Sequence, residues 1–242
     1  MKKIILAMSV LGALSASEIS DKAIEFVKTL TPAENIDIEL VKSDKIPNSK
    51  YEMVEFNILA NGQVVGSDVF FSDGKFATPT LFDLDEKVDL RAKFMEKKEQ
   101  EKQKALQAQL PNFIKNNKDM TIKLGNKNNG VATVVFSDPD CPWCRKHLET
   151  IEDSLKDNDI IFVLTPLPMH KTALSKTLHI LEEVKTAKSD SDKLKIIRKY
   201  YSDATFDEVS QDKKDAYSKK VDAAFKLGVN YTPAIFENVK LK

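Results

Sequence analysis

Cysteine, histidine and arginine are scarce in this 242-residue sequence, and each scarcity removes a class of function. Two cysteines cannot furnish the four ligands of a structural zinc site, and only His147, His170 and His179 are there to help, so no metal is expected. Arginine occurs three times among 37 basic residues, at Arg91, Arg145 and Arg198, which argues against a guanidinium clamp on phosphate or carboxylate. Charge of one sign is lacking as well, since 37 basic residues face 37 acidic ones and the formal charge is zero. That balance gives no support for nucleic acid or a membrane surface as partner. What remains, 42% hydrophobic and 31% charged residues with seven glycines, is the composition of a globular chain long enough for one large or two small domains.

Long apolar runs are confined to the N-terminus. Met1-Lys2-Lys3 is a short positive stretch, Ile4 to Leu14 is apolar, and Ala13, Ser15, Ala16 and Ser17 supply small residues. A run of about a dozen residues is too short to span a bilayer and suits a secretory signal over 1–16. An uncleaved membrane anchor is the competing reading. Removing Lys2 and Lys3 with the signal takes 37 basic residues to 35 against 37 acidic, a net charge of about −2. The expected location is the periplasm, an oxidising compartment where a disulfide persists.

Residues 17–84 change period along their length. Ile19, Ala23, Ile24, Val27 and Leu30 form a helical stripe that Thr31-Pro32 closes. Ile36, Ile38 and Leu40 then alternate with polar residues, Met53 to Ile58 read as another strand, and Asn61-Gly62 and Asp73-Gly74 are hairpin signals. A small α+β unit with an antiparallel sheet follows from this, and an edge strand of it would gain by pairing with a second copy. From residue 85 to 118 Glu and Lys recur three or four residues apart along a thin apolar stripe, which predicts a semi-rigid helical linker that Pro111 ends or kinks. No clean heptad runs long enough for a coiled coil.

Both cysteines fall in one block, Cys141-Pro142-Trp143-Cys144, within residues 119–242. Before it lies an apolar strand, Val131 to Phe136, and after it a helical pattern from Arg145 to Ile151. A strand leading to a CxxC at a helix start is the thioredoxin-type redox arrangement. Ile160 to Leu164 is the next, parallel strand; helices follow over 172–185, 191–201 and 213–227, and Thr232-Pro233 leads back into a strand through Ala234 to Phe236. The predicted architecture is an α/β thioredoxin fold with a helical insertion, preceded by the small α+β dimerisation domain and the linker. Other readings of the block are a purely structural disulfide or zinc; haem attachment is excluded because residue 145 is Arg, not His.

The segment Phe136-Ser137-Asp138-Pro139-Asp140-Cys141-Pro142-Trp143-Cys144, together with Thr232-Pro233-Ala234 and with Val69 to Lys75 continuing to Leu81-Phe82-Asp83, resembles the periplasmic thiol–disulfide interchange proteins of the DsbC/DsbG family. The resemblance spans both domains and the linker. It implies a cis peptide at Thr232-Pro233, a loop that offers Thr232 backbone groups to an extended substrate, and a dimerising N-terminal domain. Two departures stand out. Only six residues follow Phe236, so either the chain is truncated or the sheet is covered otherwise than by a C-terminal helix, and no second cysteine pair exists for a structural disulfide.

The chemistry divides unequally between the thiols. Cys141 sits where the helix begins and Pro142 suits the first helical position; unpaired N–H groups and the positive helix end favour a thiolate there. Cys141 is therefore the expected nucleophile and Cys144, three residues on, the resolving thiol. Trp143 is placed to lie against a substrate chain, with Thr232 and Pro233 beside it. Asp138 is read either as a cap or turn residue or as a buried carboxylate assisting proton transfer from Cys144. His147, His170 and His179 are read as surface side chains. The resulting expectation is a homodimeric disulfide isomerase or reductase needing no cofactor, acting on cysteine-containing exported proteins and recharged by a membrane redox partner. A net oxidase and a redox-inactive holdase are the alternatives.

Overall fold

The computed structural model describes residues 17–241, so the expected signal segment 1–16 lies outside the described residues. The chain divides into two compact units between Glu101 and Lys102.

In the first unit Ser17 caps helix α1 (Glu18–Leu30), its Oγ accepting from the Ser20 N–H at 3.1 Å. Three long strands follow, β1 (Ile36–Lys45), β2 (Glu52–Ala60) and β3 (Gln63–Ser72), and the short β4 (Ala77–Thr78) completes an antiparallel sheet in the order β1-β2-β3-β4. Asn61 and Gly62 both take positive φ, 50° and 75°, as a two-residue hairpin of matching twist requires. Val27, Ile38 and Phe56 form one small core, and Val69, Phe71 and Phe94 another. Glu52, buried at the start of β2, accepts from the Ser17 and Ser43 hydroxyls at 2.7 Å each, and these bonds hold its carboxyl below the ordinary range. Strand β1 forms one edge of the sheet, with β2 its one neighbour among the described residues.

A two-stranded ladder, β5 (Phe82–Asp83) with β6 (Val88–Asp89), precedes helix α2 (Leu90–Asn116), which crosses the division between the units. Pro111 lies inside α2 and does not end it, which sets aside the first of the two outcomes expected of it. The reason lies around it: Leu106, Leu110 and Phe113 are buried in the core of the second unit. Burying three such side chains, at ~1.5–3 kcal/mol each, outweighs the ~3 kcal/mol that an internal proline costs.

The second unit is built on β7 (Thr121–Leu124), β8 (Val131–Ser137), β9 (Asp159–Leu164) and β10 (Ala234–Lys240) in the order β10-β8-β9-β7. Strands β8 and β9 are parallel; β10 and β7 run antiparallel to them on either side. Both central strands are buried on both faces, which is why they read as unbroken apolar runs. Side chains alternate between two cores. Val134, Phe136, Ile161 and Val163 pack with α2 and with α7 (Gln211–Leu227); Val135, Ile160, Phe162 and Leu164 pack with α3 (Pro142–His147), α4 (Ile151–Asp157) and α6 (Asp190–Tyr201). The helical insertion between β9 and β10 is α5 (Ala173–Glu183), α6 and α7, and Gly228 closes α7 in the left-handed conformation at φ 102°. This is the thioredoxin fold with inserted helices that the sequence predicts. The helix expected to continue past Arg145 to Ile151 is instead divided between α3 and α4.

Candidate functional site

The cysteine block lies where β8 leaves the sheet. Ser137 ends the strand, Asp138-Pro139-Asp140 turns the chain, and Cys141 caps α3 with extended backbone angles while Pro142 takes the first helical position. No N–H is lost by placing proline there, because the first-turn donors have no helical partner. The Arg145 N–H donates to the Cys141 carbonyl at 3.1 Å, closing the first turn. Cys144 then falls one turn below Cys141, inside the core with Leu148, Ile151 and Tyr201.

The two thiols are reduced and differ in surroundings. Cys141 retains 5% exposure, and its Sγ lies 3.3 Å from the Thr232 carbonyl oxygen, to which it donates. The Thr232–Pro233 peptide is cis, as expected, and the loop lies directly against the nucleophile. Cys144 is fully buried, and its sulfur accepts from the Asp138 N–H at 3.4 Å. Burial pushes the Cys144 thiol up to about 12; the Asp138 N–H and the facing Ser137 and Thr232 hydroxyls act in the opposite direction. The Thr232 hydroxyl is buried with no partner in hydrogen-bonding geometry, so the sulfur is its polar neighbour. Behind Ser137, Tyr201 donates from its phenol to the Ser137 Oγ at 2.7 Å, and complete burial holds that phenol far above its ordinary value.

Trp143 projects outward with 67% exposure, and the Lys146 ammonium sits 5.6 Å from its ring centre. Tyr231, next to Thr232, and Met169, next to His170, are also exposed apolar side chains. Thr232 and Pro233 are half-buried between that surface and Cys141.

Asp138 takes the turn role considered for it in the sequence: its Oδ1 accepts from the Asp140 N–H at 2.7 Å, its side chain is fully buried, and it is its backbone N–H that meets the Cys144 sulfur. Its Oδ2 accepts from the Leu167 N–H at 2.6 Å and lies 2.8 Å from the His170 Nδ1. His170 is thus not the free surface side chain expected. His147 departs from expectation as well: its Nδ1 is buried without a partner beside a cleft of about 370 Å3, and desolvation lowers its affinity for a proton. His179 bonds the Asp207 carbonyl at 2.7 Å and stacks on Tyr200.

A second carboxylate stands immediately before the nucleophile. Asp140 pairs with Lys176 of α5 at 2.7 Å and accepts from the Thr172 hydroxyl at 2.5 Å. Burial raises the Asp140 carboxyl, yet the Lys176 and Thr172 bonds prevail and hold it below the ordinary range. The sequence did not reveal His170, Thr172, Lys176 or Tyr201 as parts of this neighbourhood. One signal was available for His170: it follows a parallel strand that ends beside the CxxC, and sites form beyond the carboxyl ends of parallel strands.

No protein-family model matches the chain, and no curated protein matches it. Similar solved structures include DsbG of Helicobacter pylori, 21% identical over 90% of this chain and 99% of that one, with a TM-score of 0.49. The catalytic domain of Proteus mirabilis ScsC is 19% identical over 56% of this chain and 85% of that one, with a TM-score of 0.42. The thiol–disulfide exchange protein α-DsbA2 of Wolbachia pipientis is 16% identical over 55% of this chain and 90% of that one, with a TM-score of 0.36.

Proposed function

We propose that this protein exchanges disulfides with cysteine-containing proteins of the periplasm, and that it works as an isomerase or reductase. One observation carries the reading: Cys141, 5% exposed, begins a helix and meets the Thr232 carbonyl beside a cis proline, while Cys144 lies sealed one turn below. In the first step the Cys141 thiolate attacks a substrate disulfide, a bond forms to one substrate sulfur, and the other leaves as thiolate with the electron pair. Either a substrate thiolate then displaces Cys141, leaving a rearranged substrate, or Cys144 displaces the substrate and the Cys141–Cys144 disulfide forms. The second outcome oxidises the protein by two electrons, and a membrane-bound thiol reductant restores the dithiol.

Trp143 and the Thr232-Pro233 loop are the substrate ledge in this reading, the exposed ring lying along an extended chain and the loop offering backbone groups to it. Homodimerisation through the first unit completes the proposal, supported by the ten-residue edge strand β1. Refolding of a scrambled multi-disulfide substrate is the test. The protein should restore native pairings well above a Cys141→Ala control; equal yields refute isomerase activity.

A further inference from the structure

Helix α2 turns one face towards the sheet of the first unit as it leaves β6. Leu90, Phe94 and Lys98 recur on that face at four-residue steps, with Lys93, Lys97 and Glu101 in a second row beside them. Across from them β2 presents Met53 and Glu55, two residues apart and so on one face of the strand. In β1, Leu40 stands opposite Phe56 and Lys42 opposite Glu55, so Val41 is an extra residue, a bulge that brings Val41 and Lys42 to the same border. A cleft of about 520 Å3 lies between these elements, larger than the one beside His147, and the cysteine site has no part in it.

The walls of this cleft are apolar and its rim is charged unequally. Phe94 is buried and Val41, Met53 and Leu90 are half-buried, so an apolar body entering the cleft gains by covering them. Glu55 is buried too, and its carboxylate is taken by Lys98 at 2.6 Å, an ammonium that also lies 5.4 Å from the centre of the Phe94 ring. Lys97 stands 3.9 Å from Glu101, and Lys93 has no ion pair among the described residues; both are exposed. Four ammonium groups thus face two carboxylates, and positive charge stays in excess when Asp44, the partner of Lys42 at 2.6 Å, is counted as well. We propose that the cleft binds a small amphiphile with a single anionic head and an apolar tail, of the class of a medium-chain carboxylate. Lys93 and Lys97 take the head, and Val41, Met53, Leu90 and Phe94 take the tail. A cation meets the excess charge of the rim, and a polyanion meets the apolar walls and the two glutamates, so neither fits as well. The volume is that of a small-molecule site. Pairing along the β1 edge uses backbone groups, whereas the cleft is formed by side chains on one face of the sheet.

The emission of dansylaminoundecanoate, an anionic amphiphile that brightens in a water-poor site, should rise on addition of the full chain. Decanoate should displace the dye, while decanol and decylammonium should need concentrations at least ~10-fold higher, since one lacks the charge and the other reverses it. Lys93→Glu combined with Lys97→Glu should weaken dye binding by ~10-fold or more, because two attractions become repulsions. The same change of charge on α7 of the second unit, Lys219→Glu with Lys226→Glu, should stay within about twofold and separates a local effect from net charge. All four lysines are exposed, and far-UV circular dichroism confirms that each variant folds. No rise in emission overturns the proposal, as does displacement by decanol or decylammonium at the concentrations that suffice for decanoate. Equal binding by the Lys93→Glu and Lys97→Glu variant overturns it too. If decanoate fails but an acidic, apolar peptide displaces the dye, the occupant is a polypeptide segment and the assignment to a small amphiphile falls.

Discussion

Raising the pH should destabilise the reduced protein through Cys144, by an amount the site allows one to work out. Burial moves this thiol from an ordinary 9.0 up to about 12, so the folded state keeps its proton after the unfolded state has lost it. A raised value contributes stability that is fully present below 9.0 and is lost as pH climbs towards 12. At pH 10 the unfolded thiol is mostly ionised and the folded one hardly at all, which costs on the order of 1 kcal/mol relative to neutral pH. With a urea m-value of ~2 kcal/mol/M, the midpoint should fall by roughly half a molar from this group alone. Urea unfolding of wild type and Cys144→Ala, both kept reduced, at pH 8 and pH 10 reads the thiol's contribution as the difference between the two proteins. Trp143, the only tryptophan, reports the transition of the second unit alongside far-UV circular dichroism. Wild type should lose roughly half a molar more than the variant between the two pH values. Equal losses would refute the assignment of Cys144 to a desolvated site.

Two stability predictions test the scaffold beneath the cysteines. Gly125→Ala should cost ~2–3 kcal/mol in urea unfolding, because φ is +89° there and an added Cβ would meet the buried Asp159 carboxylate at 2.5 Å. Gly130→Ala, equally positive in φ at +81° but with open space around it, should cost only ~1 kcal/mol and serves as the control. Leu110→Ala should cost ~2–5 kcal/mol and lower the midpoint of the second unit's transition, since Leu110 is fully buried in that unit's core; a loss under ~1 kcal/mol would detach this part of α2 from it.

The sequence disclosed what is periodic or chemically singular. The unbroken apolar runs of β8 and β9, the Asn61-Gly62 turn and the stop at Gly228 each carry a local signal, and the element order of the thioredoxin fold follows from them. Cys141, Cys144 and the cis Thr232-Pro233 peptide were legible because the pattern around them is distinctive. His170 and Lys176 were not, for a physical reason. Each occupies an ordinary polar position, and only the docking of the β9–α5 segment brings it within 2.8 Å of a carboxylate beside the cysteines. Pro111 shows the same gap between local and tertiary forces: backbone preference argues for a stop, and the burial of Leu110 and Phe113 carries α2 past it.

The contrast between the thiols also bears on the direction of exchange. A mixed disulfide at Cys141 has two exits, attack by a thiolate of the bound substrate or attack by Cys144. The substrate's own thiols, exposed to water, ionise near their ordinary range, whereas Cys144 is held neutral by the sealed core around Tyr201, Ser137 and Thr232. The protein exit therefore opens only as fast as Cys144 can lose its proton. A slow resolving thiol prolongs the mixed disulfide and gives the substrate time to find another pairing, which is the condition isomerisation requires. A dedicated oxidase or reductase gains nothing from that delay. The burial of Cys144 thus favours the isomerase reading over the alternatives.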